Sequence, residues 1–167
     1  MYSVIYHFMQ IPTNKATLVI ITQNNKILLG MKKRGFGKNK YNGFGGKPES
    51  DESLMDCIMR ETKEESGLDI VAVEKVGILT FYFETKPEWN QQVHIYSTSQ
   101  FSGTLIETEE MKSKWFDIDS IPYDSMWVDD KYWLPLVLDN KKVTGSFTFD
   151  DNNNVVTKEL TTVTNFT

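Results

Sequence analysis

Between Ser53 and Gly67 the chain reads SLMDCIMRETKEESG, and this stretch restricts the fold more than any other. Ser53 suits a helix N-cap and Gly67 a C-cap, so a helix is predicted over Ser53 to about Ser66. At about 100° per residue, Leu54, Cys57 and Ile58 share one face with Glu61, Glu64 and Glu65. The stripe begins apolar and turns acidic in its last two turns. A solvated charge run would lie opposite the apolar stripe, whereas these carboxylates continue it toward the protein body. Like charges three or four residues apart repel, and inward-facing carboxylates need a compensating cation. Arg60 is placed off to the side of this face. A divalent cation meets the need, and all-oxygen ligands suit Mg²⁺ or Mn²⁺.

The preceding loops sharpen this reading. Asn42–Pro48 is NGFGGKP, in which Gly43, Gly45 and Gly46 let backbone approach a ligand closely. Lys32, Lys33, Arg34, Lys38 and Lys40 come before it. Any one of these lysines alone reads as part of a solvated basic loop. Together with a close backbone and clustered acids, they suit a phosphate chain bridged to carboxylates by metal.

The 167 residues suffice for one compact domain. Apolar runs at Thr17–Thr22 and Lys26–Met31, separated by Gln23-Asn24-Asn25, predict a hairpin. Further strands are expected near Val76–Glu84, Val93–Ser99 and Lys114–Asp117, a second helix over Asp129–Asp139, and a terminal hairpin of Val143–Phe149 and Val155–Val163. The result is a single α+β domain. A net charge of −5 argues against a duplex nucleic-acid binder, which needs a broad basic face. The single cysteine, Cys57, excludes an internal disulfide and fits a reducing compartment. No apolar run reaches membrane-spanning length, and MYSVIYHFMQIP lacks the basic start of a signal peptide. That opening reads as a short extension or an added strand. Aromatics at 13% imply a large aromatic core, flat stacking surfaces, or both.

Gly46, five residues, Glu52, seven residues, then RETKEESGL from Arg60 to Leu68 resembles the Nudix box of MutT-like pyrophosphohydrolases. Thr62 departs from it, standing where the family carries a bulky aliphatic residue, a change that touches packing more than metal binding. GMKKRGFG, NGFGGK, MWVDDKYW and the terminal hairpin are similar to the branch of that family acting on oxidised purine nucleoside triphosphates. The resemblance covers residues 16–167 as the Nudix domain and leaves 1–15 as an N-terminal extension. It implies an α/β/α sandwich with a mixed β-sheet. It implies Mg²⁺ (or Mn²⁺) held by Glu61, Glu64 and Glu65, with Gly45 through its carbonyl and Glu110 as further ligands. Glu52 would pair with Arg60. Glu65, then Glu61, would take the proton of an attacking water, and the products would be a nucleoside monophosphate and pyrophosphate.

The same resemblance implies a base pocket. Trp127 would stack on the base while Asp129 and Asp130 bond its edge, sharing one proton to offer both donor and acceptor. Alone, that segment would read as capping Asp residues followed by core aromatics. Asn42 would contact the base, with Thr17, Lys32, Phe36, Phe44, Phe81 and Trp133 at other pocket or entrance positions. Core packing is a near-equal reading for Phe36, Phe44 and Phe81, and His94 reads as structural. The sequence departs from the pattern at Glu88–Gln92, with about one extra residue and no pocket methionine, and Val128 replaces a proline. The partner expected is a small nucleotide, with no membrane and no duplex nucleic acid, for a cytoplasmic monomer with a mitochondrial or nuclear fraction by resemblance. The alternatives are Nudix chemistry on methylated purine nucleotides, other nucleoside diphosphate derivatives or capped RNA, and a binding module without catalysis. The intact glutamate set argues against the last.

Overall fold

The computed structural model describes residues 10–167. The reading of the opening segment as an extension or added strand falls mostly outside the described residues. Strand β1 (Lys15–Gln23) and strand β2 (Lys26–Lys32) form the expected hairpin. Asn24 and Asn25 at its tip take φ of 51° and 59°. Asparagine tolerates this left-handed region, and the resulting turn matches the twist of the two strands. Along β1, Val19 and Ile21 point to one face of the sheet and Ala16 and Ile20 to the other, each set entering a separate core.

The chain continues through β3 (Tyr41–Asn42), helix α1 (Leu54–Ser66), β4 (Leu68–Phe83), β5 (Gln91–Gly103), β6 (Met111–Asp117), helix α2 (Asp130–Leu138), β7 (Lys142–Phe149) and β8 (Val155–Val163). The sheet runs β3-β2-β1-β5-β4-β7-β8, with β6 on the other edge of β2. It is mixed: β1 with β5 and β4 with β7 are parallel, and the remaining pairs are antiparallel. Helix α1 packs Ile58 against Val19, Ile21, Leu28 and Phe44 on one face. Helix α2 packs Trp133, Leu134 and Val137 against Ile20, Leu79 and Phe147 on the other. This is the expected α/β/α sandwich. Fully burying a side chain such as Ile58 contributes about 2 kcal/mol. No helix among the described residues is long and apolar enough to cross a membrane.

Helix α1 starts and ends as its caps dictate. Ser53 Oγ accepts from the Asp56 N–H at 3.0 Å, and Gly67, at φ 80°, donates its N–H to Lys63 O. Thr62 is fully buried and donates its hydroxyl to Ile58 O at 2.6 Å, which satisfies the polar atom. Pro135 sits inside α2, which ends at Leu138.

Several boundaries differ from the sequence reading: β5 runs on to Gly103 and β6 starts at Met111, and two further differences have a local cause. The strand expected to begin near Val76 begins at Leu68, straight after the C-cap. Its pairing with β5 shifts register three times, and the inside-outside alternation of its first half slips phase at Val71–Ala72, so the period-two pattern is broken. The loop expected from Asn42 likewise runs as extended backbone, with Val19 and Phe44 exchanging hydrogen bonds of 2.7 and 3.2 Å.

His94, buried on β5, donates Nε2–H to Gln92 Oε1 at 3.1 Å, while Nδ1 has no partner among the described residues. Burial, with Lys75 and Lys15 nearby, pushes its pKa down to about 4, so the ring is neutral in the fold. A depressed pKa gives stability that is present above the unfolded value of 6.5 and is lost as pH falls toward 4. Urea melts at pH 7, 6, 5 and 4 are expected to show a shallower loss of stability for His94→Gln than for the wild type.

Candidate active site

β1 and β2 pair only near their shared turn, at Ile21–Gln23 with Lys26–Leu28. The other half of β1 is left to the glycine loop: Thr17 N–H donates to Gly46 O at 2.8 Å, and Val19 N–H to Phe44 O. Thr17 adds its side chain, its Oγ1 lying 3.4 Å from both the Gly46 nitrogen and Cys57 Sγ on α1. Loop, strand and helix are thus joined at one point.

Glu65 and Glu61 face this loop. Glu65 is buried, and its Oε2 accepts from the Gly45 N–H at 3.1 Å. Glu61 Oε1 lies where a side chain on Gly46 would sit; an added Cβ would come within 2.5 Å of it. Burial pushes the Glu65 pKa up to about 8, with the charges of Glu61 and Glu110 adding to it and the Gly45 N–H and Lys32 opposing. Burial also raises Glu61, against the pull of Arg60.

Arg60 does not point aside as the wheel suggested. Its Nε and Nη2 grip Glu52 Oε1 and Oε2 at 2.7 and 2.9 Å, and Nη1 reaches Glu61 at 2.9 Å and Glu64 at 3.2 Å. The planar fork and long stem allow one guanidinium to serve three carboxylates. The paired Arg60 and the Glu49 N–H hold Glu52 down to about 2. Glu64 also departs from the expectation. The buried stripe of α1 is Cys57, Ile58, Thr62, Glu65 and Ser66, so Glu64 lies beyond its edge and is exposed. Glu110 lines the cavity and is bridged by Arg34 at 3.1 Å.

A cavity of about 550 Å³ runs from these acids to a second, aromatic end. Lys32, Asn42 and Lys47 also line it. At the far end Asp129 and Asp130 are both only 3% exposed. Asp129 does not use its side chain to cap α2; its Oδ2 accepts from Trp133 Nε1 at 2.8 Å. Asp130 Oδ2 is buried with no partner among the described residues. Burial raises both pKa values, and Asp130 further because Asp129 stands beside it. Trp133 is therefore floor and hydrogen-bond donor, whereas Trp127 lines the cavity with Phe36 stacked on its ring at 5.0 Å.

Phe81 lines the cavity and stacks on Phe147 at 5.8 Å. Phe44 does not reach it. The expectation of a substrate contact there is corrected: its ring is fully buried among Val19, Ile21 and Ile58 on the α1 side, because the extended backbone turns alternate residues to opposite faces.

A family model for the NUDIX domain matches residues 12–137. The chain belongs to the NUDIX family. It is 45% identical over 150 residues to the oxidized purine nucleoside triphosphate hydrolase of Mus musculus, covering 90% of this chain and 96% of that protein. It is 43% identical over 144 residues to the protein of the same name from Danio rerio, covering 86% and 92%. The crystal structure of a MutT protein from Bacillus halodurans superposes with a TM-score of 0.79 over 88% of this chain and 97% of that one, at 23% identity, which speaks to the fold alone.

Nudix hydrolases generally need a divalent metal. Among the described residues no three His, Cys, Asp or Glu side chains converge as a ready-made metal site, because Glu61 and Glu64 turn to Arg60. The donors nevertheless fit a hard cation. They are all oxygen, and they lie beside glycine backbone that leaves room.

Lys47, Phe83, Trp89 and Phe149 are among the lining residues that escaped the sequence reading. Phe83 was within reach, since it is two residues after Phe81 on one strand and shares its face. Trp89 and Phe149 are brought in by a loop and by the pairing of β4 with β7, which local pattern does not encode. Gly46→Ala is expected to keep the fold, since the added Cβ meets only the flexible end of Glu61. Hydrolytic turnover should fall roughly 10²-fold, the scale for an ångström of misplacement; kcat beside a thermal melt checks both.

Proposed function

We propose that this chain is a Mg²⁺-dependent pyrophosphohydrolase (Mn²⁺ serving also) that converts oxidised purine nucleoside triphosphates to monophosphate and pyrophosphate. It would act as a cytoplasmic monomer. The observation that carries this is one cavity with clustered carboxylates at one end and a buried Asp pair beside aromatic rings at the other. The printed names of the mouse and zebrafish relatives support the substrate class.

Glu61, Glu64 and Glu65, with Glu110 and the Gly45 carbonyl, would hold the cation. When bound, such a cation neutralises phosphate oxygens and acidifies a water. The chain's own residues do the rest. Lys32 and Lys47 bind the phosphates between the two ends. Arg60 releases Glu61 and Glu64 while keeping its grip on Glu52, which fixes the loop against α1. Glu65, whose Oε2 accepts from the Gly45 N–H, would be ionised once a cation offsets the burial that raises its pKa, and then takes a proton from the attacking water. The water oxygen bonds to phosphorus, the bond between the α and β phosphates breaks, and pyrophosphate leaves.

At the far end, one proton shared by Asp129 and Asp130 lets the pair donate and accept at once. An oxidised purine presents a different edge from the unmodified base, and a site that pairs that edge leaves buried groups unpaired with the wrong one. Trp127 supplies the stacking face.

Pyrophosphate release from 8-oxo-dGTP, 2-oxo-dATP, dGTP and ATP, with and without Mg²⁺, tests this reading. Oxidised purines are expected to be preferred only with metal. Glu65→Gln should lower kcat by about 10²-fold or more, the usual worth of a positioned base. Asp129→Asn should re-rank the purines while the metal requirement stays. Equal turnover of all four would overturn the substrate.

A further inference from the structure

The chain between β4 and β5 reads ETKPEWN from Glu84 to Asn90, and Pro87–Trp89 forms a short 3-10 turn that turns Trp89 to the cavity. The loop is tied down at several points. Asn90 Oδ1 accepts from the Phe83 N–H at 2.8 Å, which closes it onto the cavity-lining strand. Asn14, just ahead of β1, donates its side-chain amide to Asn90 O at 3.1 Å and Glu88 O at 3.4 Å, and its own carbonyl accepts from the Gln92 N–H at 2.9 Å. Thr85 bonds Asp151 in the β7–β8 turn.

Within this frame Trp89 stands at the rim, 37% exposed, above the buried floor of Asp129, Asp130 and Trp133. Its ring meets Phe36 edge-on at 5.1 Å and Phe83 edge-on at 5.7 Å, and Lys86 Nζ sits 4.0 Å over its face. Phe36, itself 45% exposed, lies nearly parallel to Trp127 at 5.0 Å and 27°. Trp127, Phe36 and Trp89 come from three separate segments and form one row of rings across the mouth. An exposed aromatic held this firmly costs ordering entropy and is a poor choice for simple core filling.

We propose that Trp89 is a specificity-determining residue: it completes the rim of the base cavity and, through Phe36, sets the room left over Trp127. It thereby governs which base substituents are admitted, and the Asn14 clamp is its positioning device. This inference rests on the base-cavity reading above. The chemistry at the acidic end lies beyond its reach, so Trp89 acts on binding and leaves bond cleavage unchanged.

The test uses Trp89→Ala, Trp89→Phe and Asn14→Ala of the full chain, with 8-oxo-dGTP and O6-methyl-dGTP as substrates and Mg²⁺ present. For Trp89→Ala the KM for 8-oxo-dGTP should rise about tenfold, the scale of one lost aromatic contact, with kcat within about twofold. The kcat/KM preference for 8-oxo-dGTP over the methylated substrate should shrink several-fold as the rim opens. Trp89→Phe should fall between, and Asn14→Ala should move the ratio the same way by less. An unchanged ratio in folded variants, or a loss confined to kcat, would overturn the proposal. Should Trp89→Ala fail to fold, Trp89→Phe and Asn14→Ala decide alone. Calorimetric binding of 8-oxo-dGMP and O6-methyl-dGMP separates the two readings. If the wild type hydrolyses neither triphosphate, the proposed function fails, and the ratio of binding constants across the same variants still decides for or against Trp89.

Discussion

Two backbone hydrogen bonds, from Thr17 to Gly46 and from Val19 to Phe44, hold the glycine loop along the half of β1 that β2 leaves free, and the site depends on them. They bring main chain without side chains to the buried end of α1. A Cβ on Gly45 would lie 1.9 Å from Thr17 O, so this approach is available to glycine alone. Glu65 can then receive a backbone N–H, and Glu61 can occupy the space Gly46 leaves. The acids are tolerated because the backbone dipole and Arg60 each offset part of their charge.

The cavity is divided electrostatically. At one end, carboxylates crowd beside the guanidinium of Arg60, with Glu110 bridged by Arg34, an arrangement suited to anions only through a cation. At the other, burial disfavours ionisation of the Asp129–Asp130 pair, and Trp133 fixes Asp129 so that the orphan oxygen belongs to Asp130. The two ends thus differ in physics within one volume: ion-paired charge at one, buried and partly unpaired acid beside aromatic rings at the other.

Much of this was legible in the sequence because the determining features are local. The caps of α1, the hairpin at Asn24-Asn25, the terminal hairpin and the acidic turn of the helix each depend on residues within a few positions of one another. The Glu52–Arg60 pair follows from the family spacing and appears as a two-pronged ion pair. What the pattern did not reveal was non-local. Arg60's reach to Glu61 and Glu64 depends on rotamer choice, and the exposure of Glu64 on how α1 is rolled against the sheet. Phe44 went to the core because of its place in the extended run, although its neighbours Gly43 and Gly45 line the cavity. Trp89 and Phe149 meet the site only through strand pairing and a clamped loop.

The mixed sheet also bears on how the molecule assembles. Its two parallel pairs, β1 with β5 and β4 with β7, join strands far apart along the chain, so long loops must close before those contacts reward them. The cavity draws Thr17, Asn42, Glu65, Phe81, Asp129 and Phe149 from nearly the whole length of the chain. It therefore has no partial form. A ribosome that has released everything up to α2 has still to deliver the strand carrying Phe149, and until then the aromatic end of the cavity lacks one of its walls.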